Sequence, residues 1–173
     1  MSLMIDLQPW FGRALVVGGG HVAARKVRTL AEAEFETTVI APEVLDEIRA
    51  RPFVTVVQRT FQELDLDLDA GFALVFACTD DRETNRAIGA ACRLRRIPVL
   101  VADAQSESTF FTPAVLHDGD LAIAVSTGGA SPTLAKELRE RIAAAIGPGW
   151  DQAIHRARAE REVRLGRRER PPE

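Results

Sequence analysis

Short apolar runs alternate with amphipathic stretches through the N-terminal part of the chain. Ala14-Leu15-Val16-Val17 is a continuous apolar run, the pattern of a strand covered on both faces. It ends in Gly18, Gly19 and Gly20. A helical pattern follows from His21 to about Ala33, with Val22, Val27, Leu30 and Ala31 on or near one face. Thr37 to Ala41 reads as the next strand, stopped by Pro42. Glu43 to Ala50 reads as a helix and Val54 to Val57 as a third strand. Phe72 to Ala77 reads as a fourth buried strand, Asp81 as the cap of a helix running to about Arg95, and Val99 to Ala102 as a fifth strand. Strands alternating with helices at this spacing predict an α/β fold, a parallel sheet with helices on both faces.

The pattern changes after residue 105. Phe110 to Leu116 and Leu121 to Val125 read as two strands joined by the hairpin-like turn His117-Asp118-Gly119-Asp120. A helix starting at Pro132 carries Leu134, Leu138, Ile142 and Ala145 on one stripe, and Gly147-Pro148-Gly149 breaks it. The expected division is residues 4–113 as the main domain, 114–147 as a small α+β region, and 148–173 as a helical tail with a disordered Arg-Pro-Pro end. The charges of that tail read as a solvated face, the alternative being a binding arm.

A length of 173 residues accommodates one domain plus a smaller appendage. The formal net charge of −3 argues against a general nucleic-acid or membrane-surface binder, but allows a local basic pocket. Cys78 and Cys92 read as small buried hydrophobes. Asp65, Asp67 and Asp69 read as a solvated turn, since the glycine and terminal glutamate of a calcium loop are missing. His21, His117 and His155 are scattered, and no metal site is expected. No run approaches the roughly 18 apolar residues of a membrane span, and no signal pattern precedes the first strand. A cytoplasmic protein is expected, with Met1-Ser2-Leu3 set aside.

The candidate chemistry begins at Gly18-x-Gly20-x-x-Ala23, which follows a strand and opens a helix. In a dinucleotide site one glycine allows the tight turn and another lets a pyrophosphate approach the backbone. Ala23, in place of a third glycine, still permits close helix–sheet packing. The helix start then offers free N–H groups and its positive end to the diphosphate. The alternative is a glycine-rich turn with no ligand. The acidic residue expected roughly 20 positions on is displaced, the first carboxylate after the second strand being Glu43. No arginine stands there for a 2′-phosphate, which leans toward NAD over NADP.

Thr79-Asp80-Asp81 ends the fourth strand on the cofactor side of the sheet, with helix capping as the other role for Asp81. Asp103 follows the fifth strand at its carboxyl end. A carboxylate there can move a proton while a nicotinamide takes a hydride, or it can be a turn aspartate. Ser126-Thr127-Gly128-Gly129-Ala130-Ser131-Pro132 is a second glycine-bearing strand-to-helix turn. It is built either to attract an anion or simply to cap its helix through Ser131 and Pro132.

Together these residues resemble the siroheme synthase N-terminal family, which comprises precorrin-2 dehydrogenases, some of them also sirohydrochlorin ferrochelatases. The resemblance spans about residues 7 to 147. It is carried by Val16-Val17-Gly18-Gly19-Gly20-x-Val22-Ala23-x-Arg25-Lys26, by Ala77-x-Thr79-Asp80-Asp81 with Asn85, by Val101-x-Asp103, by Phe110-x-x-Pro113-Ala114, and by Ala124 to Pro132. It implies a Rossmann-like domain followed by a dimerisation region, and NAD-dependent oxidation of precorrin-2 to sirohydrochlorin, with iron insertion as a further activity in some members. Asp103 matches the residue tied to acid–base chemistry, and residues matching His21, Val22, Pro42 and Glu43 would contact NAD. A homodimer is implied, with the segment after residue 113 crossing between subunits. Thr127 stands where some relatives carry a phosphorylated serine.

Two departures are visible. Ala33-Glu34-Phe35 stands where the family has a glycine near the end of the first helix, and no methyltransferase module follows, so precorrin-2 is expected to come from another protein. The substrate is a macrocycle with eight carboxylate arms, so its site needs cations and N–H donors. Arg25, Lys26 and the turn Ser126, Thr127, Gly128 and Gly129 are candidates, the alternative for Arg25 and Lys26 being solvated helix charges. The competing function is a non-catalytic dinucleotide-sensing domain.

Overall fold

The structure, a computed structural model, describes residues 3–67 and 71–168. Asp69 and the Arg-Pro-Pro tail lie outside the described residues. The chain divides into two compact units, the first ending at Phe111 and the second beginning at Thr112.

The first unit holds five parallel strands: β1 (Arg13–Val17), β2 (Thr37–Ile40), β3 (Val54–Val57), β4 (Phe72–Ala77) and β5 (Val99–Val101). Their order is β3-β2-β1-β4-β5, so successive strands step outward from β1 in opposite directions. Such a reversal leaves a crevice at the carboxyl ends of the central strands, where ligands of open α/β sheets bind. Helices α1 (His21–Glu32) and α2 (Asp46–Arg49) cover one face and α3 (Arg82–Arg95) the other. Because strand side chains alternate, Ala14 and Val16 of β1 pack with Val27, Leu30 and Ile48, while Leu15 and Val17 pack with Ile88 and Cys92. Covered on both faces, β1 is apolar throughout from Ala14 to Val17.

Register sets the edge that matters. Val17 aligns with Ile40 of β2 and Ala77 of β4, and Ala77 aligns with Val101 of β5. Gly18, Ala41, Cys78 and Ala102 therefore leave the sheet side by side.

Several expectations change. Val22 is 40% exposed rather than core, because it lies on the first turn of α1 beyond the sheet edge. The helix read over Glu43 to Ala50 shortens to one turn, since Gln58 Nε2 and the Leu45 N–H tie residues 42–45 into a loop by bonding to the Pro42 and Gly19 carbonyls. Asp65 is not solvated: Arg59 donates to both its carboxylate oxygens, at 2.8 and 2.6 Å, and holds its carboxyl below the usual range. At the end of α1, Glu34 takes φ 59° in place of the expected glycine. Phe35 N–H donates to Leu30 and Glu34 N–H to Ala31, a Schellman closure held by packing of Phe35 with Leu30. The left-handed glutamate costs about 1 kcal/mol.

The second unit is a two-stranded antiparallel hairpin, β6 (Ala114–Asp118) and β7 (Leu121–Val125), followed by α4 (Pro132–Ile146) and α5 (Trp150–Arg168). The strand read from Phe110 starts only at Ala114. Thr109 is occupied in pairing with β5, the Phe110 ring packs edge-on against Phe76, and Pro113 has no N–H to donate. The turn tightens to Gly119-Asp120, because Asp118 still pairs with Leu121. Asp118 Oδ2 accepts the Gly149 and Trp150 N–H groups at 2.8 Å each, which caps α5. Asp120, Asp151 and His155 bring ligand atoms within 4.8 Å of one another, a grouping their spacing in the sequence hides. Asp120 is already paired there with Arg158 at 2.7 Å. No helix among the described residues is long and apolar enough to cross a membrane.

Candidate functional site

The glycine turn is a device with three different parts. Gly18 has φ 121°, and a Cβ on it would lie 2.3 Å from the Cys78 carbonyl oxygen. It alone lets β1 turn sharply against the end of β4. A Cβ on Gly19 would lie 1.9 Å from the Glu43 carbonyl oxygen, so this glycine seats the loop after β2. In both cases the protein's own backbone already requires the glycine. Gly20 is different: a Cβ there meets nothing within 4 Å, and the residue is exposed. Ala23 is fully buried, where close packing of helix on sheet requires a small side chain.

Gly20 is also the N-cap of α1 and supplies no side-chain acceptor. The other three long helix starts are closed by side chains, that of α5 by Asp118 as described above. Asp81 accepts the Thr84 N–H at 3.0 Å for α3, and Ser131 accepts the Leu134 N–H at 3.2 Å for α4. An uncapped helix start behind an open glycine fits the diphosphate of a dinucleotide, whose oxygens would accept those N–H groups. His21 and Val22 are exposed on this first turn, and Pro42 and Glu43 are exposed on the loop that Gly19 seats.

The end of β4 is clamped by a residue whose role the sequence did not reveal. Asn85 is 1% exposed, and its Oδ1 accepts both the Thr79 N–H at 3.0 Å and the Thr79 hydroxyl at 2.7 Å. Its Nδ2 donates to the Thr79 carbonyl at 2.9 Å. At about 1 kcal/mol per buried bond, this clamp fixes residues 78–81 against the glycine turn. Asp80 is exposed at its tip, and Asp81 has the capping role.

Behind the turn lies a charged cluster. The Cys78 thiol is pushed up to about 11 by burial, against the pull of Lys26 and Arg25 and with a smaller push from Asp103. It is a neutral thiol at neutral pH rather than a nucleophile. Lys26 is half-buried, its ammonium 6.0 Å from the centre of the Phe76 ring, and burial lowers its pKa. The two cations at the start of α1 and the carboxylate after β5 therefore share one field around Cys78. Asp103 itself is half-exposed, with Arg82 Nε 3.9 Å from its Oδ2. A pair that open contributes less than about 1 kcal/mol to folding, so the position is not explained by stability.

The Ser126–Pro132 turn lies in the second unit and is largely self-satisfied. Gly128 N–H donates to Ser126 Oγ at 3.1 Å, and Ser131 N–H to Thr127 Oγ1 at 3.0 Å. Among the described residues its groups act chiefly as a helix cap, with Gly129 in the turn at φ 84°.

The chain is similar to known proteins over most of its length. The model of the NAD(P)-binding family NAD_binding_7 matches residues 3–114, and the model for the sirohaem biosynthesis protein central region matches residues 118–145. A siroheme synthase of Gluconacetobacter diazotrophicus is 40% identical over 153 residues, which is 86% of this chain and 33% of that protein. One from Methylococcus capsulatus is 42% identical over 135 residues, 76% of this chain and 28% of the relative. The chain thus spans about a third of the length of these curated relatives. Among solved structures, "SirC, precorrin-2 dehydrogenase" superposes with a TM-score of 0.70 at 27% identity, covering 90% of this chain and 75% of that one. With the glycine turn, the strand order and the family match in agreement, the chain belongs to the NAD(P)-binding family NAD_binding_7 and resembles, over most of its length, the corresponding part of siroheme synthases.

Proposed function

We propose that the protein oxidises precorrin-2 to sirohydrochlorin with NAD, a hydride leaving to the cofactor and a proton to Asp103: precorrin-2 and NAD+ give sirohydrochlorin, NADH and H+. The observation that carries this reading is the shared sheet edge. The uncapped start of α1 behind the open Gly20 and the half-exposed carboxylate of Asp103 both stand at the carboxyl ends of the strands. The names of the siroheme synthases and of the dehydrogenase it resembles support the substrate.

Bound NAD supplies the hydride acceptor. Gly18, Gly19 and Gly20 and the N–H groups of His21 and Val22 would hold its diphosphate. Pro42 and Glu43, at the end of β2, and Thr79 and Asp80, at the end of β4, would border it. Glu43 offers the acceptor for ribose hydroxyls that favours NAD over its 2′-phosphate form. Arg25 and Lys26 supply positive charge toward the carboxylate arms of the macrocycle. Ser126, Thr127, Gly128 and Gly129 form a further candidate contact for an arm within the second unit. Asp103 accepts the proton.

The test uses the open glycine. Gly20→Ala adds a methyl where the protein itself has room, so it should melt as the parent does. Kd for NAD, read by titration calorimetry, should rise roughly tenfold or more, since one lost charge-assisted hydrogen bond is worth about 1.5–3 kcal/mol. Unchanged affinity would move the cofactor away from this turn. The activity is read as NADH formed from fresh precorrin-2 and NAD. Tight NAD binding without turnover of any tetrapyrrole would favour the sensing role instead. Adding Fe2+ afterwards tests iron insertion, which a siroheme spectrum above the spontaneous rate would establish.

The protein is further proposed to act as a homodimer through its second unit. Among the described residues of that unit only Ala135 is a buried hydrophobic, while Leu134, Trp150 and Val163 are 45%, 43% and 57% exposed. A unit this small needs partner surface to bury a core. Sedimentation should give twice the chain mass of 18.9 kDa, and Leu134→Glu should shift it toward monomer. A monomeric parent protein would sink this proposal.

A further inference from the structure

Asp103 sits in the turn that closes β5, where the Ala104 N–H donates to the Val101 carbonyl at 3.2 Å. The chain then doubles back. The hydroxyls of Ser108 and Thr109 accept the N–H groups of Val101 and Val99 at 2.9 and 2.8 Å, which replaces a missing neighbour strand along β5. This return brings Glu107 against α3. There Arg93 Nη1 donates to the Glu107 carbonyl at 2.7 Å, and Arg82 pairs closely with the Glu107 carboxylate. From that tether Arg82 Nε stands 3.9 Å from Asp103 Oδ2.

That separation is within ion-pair range but beyond hydrogen-bond range. A guanidinium held there orients the Asp103 carboxylate by charge and leaves its lone pairs open to a proton. We propose that Arg82, tethered by Glu107, is a positioning residue for Asp103 in the oxidation described above, on which this inference rests. The carboxylate arms of the substrate repel an ionised Asp103, and a cation close by offsets that repulsion. Arginine suits the place because it does not deprotonate and cannot compete for the proton. Glu107 holds Arg82 at its distance. Released, the guanidinium would close onto Asp103 and cover the oxygen that takes the proton.

The experiment compares Arg82→Gln, Glu107→Gln and the double variant, measuring kcat and KM for precorrin-2 at saturating NAD. Each single variant should lower kcat roughly ten- to hundredfold, the scale of a misplaced catalytic group, with KM nearly unchanged. The double variant should be no worse than Arg82→Gln, because both act through one guanidinium. A raised KM with kcat intact would make Arg82 a substrate anchor and overturn the proposal. Losses that multiply in the double variant, or unchanged kinetics, would overturn it too. Should Arg82→Gln fold poorly by circular dichroism, Arg82→Lys replaces it. Lys keeps the charge but cannot span both carboxylates, so its kcat should fall about as far as that of Glu107→Gln with KM nearly unchanged, and parental kcat in Arg82→Lys would overturn the proposal. Turnover by the parent protein with unchanged variants sinks this inference alone, whereas a parent protein without turnover removes the proposed function as well.

Discussion

Asp103→Asn should lower kcat for precorrin-2 oxidation by roughly two to four orders of magnitude, the usual worth of a general acid–base group, with NAD affinity unchanged. Asparagine matches the shape of the side chain but cannot take a proton as a carboxylate does. The variant is expected to fold, because Asp103 is half-exposed and its ion-pair contact with Arg82 is long, at 3.9 Å. Kinetics therefore read chemistry rather than stability. Steady-state NADH formation beside NAD titration separates the two, and parental turnover in this variant would remove Asp103 from the mechanism.

The second large effect lies in the fold. Gly18→Ala should destabilise the protein by about 3–5 kcal/mol, summing backbone strain at positive φ and overpacking against a backbone carbonyl. The residue sits at φ 121°, with the Cys78 carbonyl oxygen 2.3 Å from where the new methyl would stand. Neither β1 nor β4 can move aside, because Val17 and Ala77 are paired in the centre of the sheet. Since a domain of this kind is stable by about 5–15 kcal/mol, a loss of this size removes a large share of its stability and should shift unfolding to much lower denaturant. The denaturant midpoint checks it. A midpoint equal to that of Gly20→Ala would show that the two glycines do not differ as their surroundings imply.

The contrast between these glycines shows where reading the chain stops. The sequence presents Gly18, Gly19 and Gly20 as one motif, in which one glycine is expected to make the turn and another to admit the ligand. In the structure two of the three are small for internal reasons, one to turn against Cys78 and one to seat the Glu43 loop. Only the third leaves space. Cys78 shows the same limit. Its apolar neighbours mark it correctly as buried, but nothing local places Lys26, Arg25 and Asp103 around it. Asn85 was visible as part of a motif, while its clamp on Thr79 needs the loop folded back over α3.

What the sequence determined by itself was periodic and local. Apolar runs of strand length, amphipathic helix patterns, the caps at Asp81 and Ser131 and the break at Gly147-Pro148-Gly149 are set by side-chain spacing and backbone preference. They led to the parallel sheet with helices on both faces, and to a glycine turn at the end of its first strand. Only the tertiary structure decided which ends meet. Parallel register levels Gly18, Cys78 and Ala102, the return of Ser108 and Thr109 along β5 brings Glu107 to Arg82, and Val22 comes to face outward. Those are contacts between residues far apart in the chain. No local spacing encodes them, because they depend on how packed elements align rather than on what each element prefers alone.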